Sequence, residues 1–220
     1  MQYIFVHGLG QDSLSWRKTA ALMAGQINAQ LPDLSECLNG INSGSTNSGN
    51  NKEMTYENLY HAFSEYCNAT PEPINLCGLS LGGVLALNYT IDYPEKVHSL
   101  ILIGTQYKIP KTLLKIQNIV FQLMPEFAFK NMGFKKKDVI KLTKSMVDLD
   151  FSENLTNIAC PVLIMCGDKD KANKNAARHL SENIPGAEFQ LVDKANHEVN
   201  ISNPQLLASK IKNFYNEISD

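Results

Sequence analysis

The stretch INLCGLSLGGVLALNYTIDYP, Ile74 to Pro94, changes character at its serine. Before Ser80 runs a short continuous apolar segment of strand type, and after it the apolar residues fall into a helical pattern. A GxSxG pattern at a strand-to-helix turn forces its central residue into a strained backbone conformation, and the small residues on either side let the chain fold back without collision. Gly78 and Gly82 fill those positions, and Gly83 widens the clearance. Such a turn lifts the Ser80 hydroxyl clear of the backbone at the carboxyl end of a sheet, where open α/β sheets hold their ligands. The helix that begins there points free N–H groups at the same place, which favours negative charge.

Outward from this turn, strand and helix signals alternate along the whole chain. Tyr3 to Gly8, Ile74 to Leu79, His98 to Thr105, Pro161 to Asp168 and Ala187 to Asp193 are short, apolar and bounded by Gly, Pro or Asp. Continuous rather than alternating apolar runs suit strands covered on both faces, as in a parallel sheet. Helical patterns occupy Ser13 to Gln26, Thr55 to Cys67, Leu81 to Tyr93, Asn173 to Asn183 and Pro204 to Ile218. The alternation predicts an α/β, doubly wound, mostly parallel sheet with helices on both faces, in a single domain spanning residues 1–220.

Two segments break the rhythm. In Asn39 to Lys52 twelve of fourteen residues are Gly, Asn, Ser or Thr, a composition that supplies no packed face and reads as a long loop, either a lid or a tolerated insertion. Residues 107–155 read as several helices without a strand, a small helical cap inserted after the strand that ends near Thr105.

Composition removes several function classes. The 220 residues, 44% hydrophobic, carry a formal charge of −2, so there is no basic footprint for nucleic acid. Apolar runs are too short and too interrupted for a membrane span. The N-terminus MQYIFVHGLG reads as a strand entering a turn rather than as a signal peptide, which makes the cytoplasm the expected compartment. Five cysteines without CxxC spacing indicate neither a zinc site nor a disulfide framework, and Cys77 and Cys166 read as buried thiols. No metal and no cofactor is expected.

A serine hydroxyl is a poor nucleophile at neutral pH and needs a histidine base, itself oriented by a carboxylate. Both should follow strands at the same sheet edge. The strand from Pro161 runs into GDKDK, and the strand from Ala187 runs into DKANHEVN, so His197 can reach back over that edge. His61, His98 and His179 lie in helix or strand-edge contexts and read as structural or exposed.

With FVHGLG, GLSLGG, PVLIMCGDKD and ANHEVNISNP in this order, the chain resembles the α/β-hydrolase superfamily, close to its small esterase-like and lyase-like serine hydrolases. The resemblance implies Asp170 as the acid, with Asp168 as the fallback; the alternative position after the preceding strand, GTQYK, holds no carboxylate. It also implies an oxyanion hole from the N–H groups of Leu9 and Leu81, each donor worth roughly 3 kcal/mol in a transition state. His7 is then a structural residue holding the HGLG turn. Relative to the family the chain starts at the third strand, which implies a sheet of about six strands, weakens one sheet edge and leaves pairing as a homodimer open.

The expected activity is cofactor-independent cleavage of a small carboxylic ester or thioester by Ser80, Asp170 and His197 through an acyl-enzyme. Two other readings remain: a carbon–carbon bond hydrolase or lyase using the same triad as a base, and a catalytically silent ligand-binding relative. Between Lys108 and Lys144 nine lysines face two acids, Glu126 and Asp138, so this segment carries about +7. Lysines on solvated helix faces account for this more readily than attraction of an anionic substrate.

Overall fold

The computed structural model describes residues 1–37, 53–111, 114, 122, 124–129 and 135–218. The Asn39 to Lys52 loop lies outside the described residues, as does part of the 107–155 segment. Among the described residues six parallel strands form one sheet: β1 (Gln2–Val6), β2 (Ala29–Gln30), β3 (Ile74–Leu79), β4 (Val97–Ile103), β5 (Val162–Gly167) and β6 (Glu188–Val192), in the order β2-β1-β3-β4-β5-β6.

The continuous apolar runs are explained by burial on both sides. From β1, Ile4 and Val6 enter one core and Phe5 the other; from β4, Leu100 and Leu102 face opposite to Ile101 and Ile103. Helices α2 (Tyr56–Asn68), α3 (Leu81–Asp92) and α5 (Lys174–Asn183) cover the first face. The second is covered by α1 (Arg17–Met23) and, further along the chain, the four-residue α6 (Val199–Ser202) and α7 (Pro204–Glu217). Helix α4 (Lys136–Ser145) adds Val139 and Leu142 to the first core from the segment between β4 and β5.

Three boundaries differ from the sequence pattern. The helix expected over Ser13 to Gln26 divides into a 3₁₀ turn, Ser13–Trp16, and α1, because Asp12 caps Ser15 N–H and Gly25 at φ 93 stops the helix. The sixth strand is β2, only two residues paired with β1, too short to leave a periodic signal. Between β4 and β5 the helical segments are joined by an antiparallel bridge, Lys108 to Asp150. Ile109 N–H donates to Leu149 O at 3.1 Å, and Phe151 N–H donates to Tyr107 O at 2.8 Å, so the excursion leaves and returns through one neck.

Because β2 and β3 lie on opposite sides of β1, the connections diverge at the carboxyl ends of β1 and β3, and a crevice opens there. The Ser80 turn is pressed into this point. A Cβ on Gly82 would stand 2.4 Å from the Val6 carbonyl oxygen, and one on Gly78 would stand 2.3 Å from the Gly82 carbonyl oxygen. Both contacts are to backbone, which cannot swing away. Gly82→Ala is therefore expected to lower unfolding stability by roughly 1–3 kcal/mol, the range for overpacking. Urea denaturation would read this as a lower midpoint at unchanged slope; an unchanged midpoint would contradict the tight approach.

Candidate active site

Every sequence-predicted site residue follows a strand at the carboxyl edge. Leu9 comes after β1, Ser80 after β3, Asp170 after β5 and His197 after β6. Ser80 has φ 53 and ψ −115, the strained conformation expected of it, and its N–H donates to Ile103 O of β4 at 2.9 Å. A side chain so constrained projects from the turn instead of lying along the sheet.

The three side chains meet in a chain of hydrogen bonds. His197 Nε2 lies 3.0 Å from Ser80 Oγ, and His197 Nδ1 lies 2.7 Å from Asp170 Oδ2. Beside a carboxylate Nδ1 carries the proton, which leaves the Nε2 lone pair to accept the serine proton. Gly104, at φ 55 after β4, gives the imidazole room: a Cβ there would approach His197 Nδ1 to 3.0 Å. Asp170 is 6% exposed. Burial alone would raise its pKa, but the hydrogen bonds from His197 and Asn173, with the charge of His197 when protonated, outweigh that and hold the carboxyl below its ordinary value.

Asp168, the fallback acid, has no such role in the geometry. Its N–H donates to Val192 O at 3.0 Å and its carbonyl accepts from Lys174, while Oδ1 is buried without a hydrogen-bond partner. It belongs to the turn. The Cys166 thiol, close to Asp170, is pushed up to about 12 by burial and by the carboxylate, which leaves it inert as a nucleophile.

Leu81 is the first residue of α3, so its N–H is one of the helix-start donors without an intrahelical acceptor. Leu9 stands in a turn closed by Gln11 N–H donating to Gly8 O at 3.2 Å, with Gly10 at φ 87. Both leucines line a cavity of about 400 Å³ that also reaches Ser80 and His197. Its apolar wall includes Val84, Ile109, Pro110, Leu114 and Met146; its polar groups besides the serine and histidine are Gln106, Thr143 and Asn173.

The HGLG turn is anchored from below. His7 is 1% exposed; Leu34 N–H donates to its Nε2 at 3.1 Å, so Nδ1 carries the proton and donates to Gly8 O at 2.9 Å. Gln11 and Asn200 exchange reciprocal amide hydrogen bonds at 3.2 Å and tie this turn to α6, just after His197. This pair had no signal in the sequence beyond two polar residues far apart along the chain.

The comparisons with known proteins agree with the topology. Residues 4–157 match the model of the alpha/beta hydrolase fold family, and the chain belongs to that family. Among curated relatives, a pimeloyl acyl-carrier protein methyl ester esterase of Aeromonas hydrophila subsp. hydrophila is 24% identical, over 96% of this chain and 94% of that protein. A thermophilic esterase from Thermogutta terrifontis shares the fold at a TM-score of 0.80 and 18% identity, covering 100% of this chain and 91% of that one. The enol-lactonase from Burkholderia xenovorans LB400 does so at 0.81 and 17%, covering 98% and 91%. Among the described residues no helix is long and apolar enough to cross a membrane.

Burial, partly offset by the Gly8 carbonyl and by Asp33 and Asp12, lowers the His7 pKa from 6.5. The unfolded chain then binds a proton below about pH 6.5 that the folded chain refuses until lower pH, so stability is full above 6.5 and declines below it. The thermal midpoint is expected to fall between pH 7.5 and 5.5. In His7→Gln that slope should flatten, whatever the variant's absolute stability.

Proposed function

We propose that this protein is a serine hydrolase that cleaves a carboxylic ester or thioester with an uncharged, apolar acyl group. The observation that carries the reading is the unbroken run from Asp170 Oδ2 through both nitrogens of His197 to Ser80 Oγ, at 2.7 and 3.0 Å. Ser80 Oγ attacks the carbonyl carbon as its proton passes to His197 Nε2. Asp170 stabilises the imidazolium, and the N–H groups of Leu9 and Leu81 receive the charge that develops on the carbonyl oxygen. His197 gives the proton to the departing alcohol or thiol. Water then delivers a proton to His197 and attacks the acyl-enzyme, which frees the acid and restores the Ser80 hydroxyl.

The acyl preference follows from the cavity wall. No residue among the described lining carries a fixed charge. The segment 107–155 acts as the cap, and four of its described lysines are engaged away from the cavity. Lys108 pairs with Asp150 and Lys111 with Asp148, each at 2.6 Å; Lys141 pairs with Glu53, and Lys136 caps the carbonyls of Gln122 and Met124. A free carboxylate on the acyl chain would therefore be buried without a partner, which is costly. The pimeloyl ester cleaved by the Aeromonas relative supports an ester of moderate length.

Incubation with a fluorophosphonate is expected to label Ser80, and Ser80→Ala should lose the label together with ester hydrolysis by on the order of 10⁴-fold or more. Absence of label on the wild type, where a serine esterase control reacts, would remove the assignment. For the acyl group, the p-nitrophenyl ester of hexanoic acid should exceed the p-nitrophenyl monoester of adipic acid by about tenfold or more in kcat/KM. Equal or reversed rates would refute the uncharged acyl site.

A further inference from the structure

We propose that Asn173, held in place by Gln106, is a positioning residue that keeps the Asp170–His197 pair in the state needed for base catalysis; this rests on the serine-hydrolase reading above. Asn173 lies just before α5 and is 9% exposed. Its Nδ2 stands 2.9 Å from both carboxylate oxygens of Asp170 and 3.1 Å from His197 Nδ1, and its backbone N–H donates to Asp170 Oδ1 at 3.3 Å.

The amide could point either way by itself, since its oxygen and nitrogen have the same shape. Gln106 reinforces the orientation that the acceptor-only carboxylate requires: its Nε2 donates to Asn173 Oδ1 at 2.7 Å, which keeps the Asn173 nitrogen turned toward Asp170. A second, longer contact from Gln106 Nε2 to Ala172 O at 3.4 Å fixes the glutamine to the same loop. Gln106 follows β4, at the strand end where the sequence holds no carboxylate, and it reaches toward the acid with a neutral donor. Both amides line the substrate cavity.

Two effects of the Asn173 amide act in one direction. Its N–H groups draw off part of the carboxylate charge, and its positive end faces His197 Nδ1. Each disfavours the protonated imidazole relative to the neutral one and so keeps Nε2 available to accept the serine proton. The other groups around the pair are Ser80 from the start of α3, the Cys166 thiol 3.7 Å from Asp170 O, Asp168 and Lys174 joined through the Asp168 carbonyl, and Glu198, which accepts from Gln11. None of these donates to the Asp170 carboxylate. Asn173 is thus the neutral partner of the carboxylate, beside His197.

The test is the pH dependence of fluorophosphonate labelling in the full chain. Asn173→Ala should slow labelling at neutral pH by about tenfold and move the acid limb of the rate profile upward by about half a unit. Gln106→Met removes the donor without adding charge, on a partly exposed side chain, and should move the limb the same way by less. A merely structural contribution would lower the rate and leave the limb where it is. An unmoved limb in folded Asn173→Ala overturns the proposal; should that variant not fold, an unmoved limb in Gln106→Met does so. Failure of the wild type to label would instead strike the hydrolase reading itself.

Discussion

The contact on which the site depends is the approach of the Ser80 turn to the end of β1, where the Gly82 backbone fits against the Val6 carbonyl with no space for a side chain. Burial of the strands on both faces fixes the sheet, and the sheet fixes where its strands end, but neither would bring a hydroxyl out of the backbone. The tight turn does that. It also brings the N-terminus of α3 next to the HGLG turn, so the candidate nucleophile and the two N–H groups proposed to receive negative charge come from a single packing event.

Parallel strands make the rest of the geometry economical. All six end at one edge, so loops after β1, β3, β4, β5 and β6 converge although their residues are up to 188 positions apart, from Leu9 to His197. Each loop holds one part of the candidate site: the turn after β1 a candidate donor, that after β3 the serine, that after β4 an amide, those after β5 and β6 the carboxylate and the imidazole. Side-chain amides brace this edge, Gln11 tying the turn after β1 to Asn200 of α6 and Gln106 tying the loop after β4 to Asn173. Amides suit this work, because they donate and accept in fixed directions without bringing a charge near the titrating pair.

Much of the fold was legible because burial on two faces leaves an unmistakable mark: runs such as LILI in β4 and VLIM in β5 have no polar alternation to hide them. Ser80 was legible from its glycines and from the change of period around it, and His197 from its place beyond the last strand. Asp170 was separable from Asp168 only through family resemblance, since two aspartates two residues apart look alike until the turn assigns one to the imidazole and the other to the backbone. Strand β2 escaped because two residues carry no period. Asn173 and Gln106 escaped for a different reason. A neutral amide leaves no mark in composition or spacing, and its importance arises only when loops distant in sequence are folded together.

The neck formed by Tyr107, Ile109, Leu149 and Phe151 has a consequence for how such a chain can diversify. Since the excursion leaves the body and rejoins it at adjacent points, its contour can grow, shrink or be exchanged with little effect on the closure entropy of the surrounding fold. On the proposed function, chemistry and selectivity are thereby separable properties: the strand edge that holds the candidate triad can be inherited unchanged while the excursion is replaced as one module.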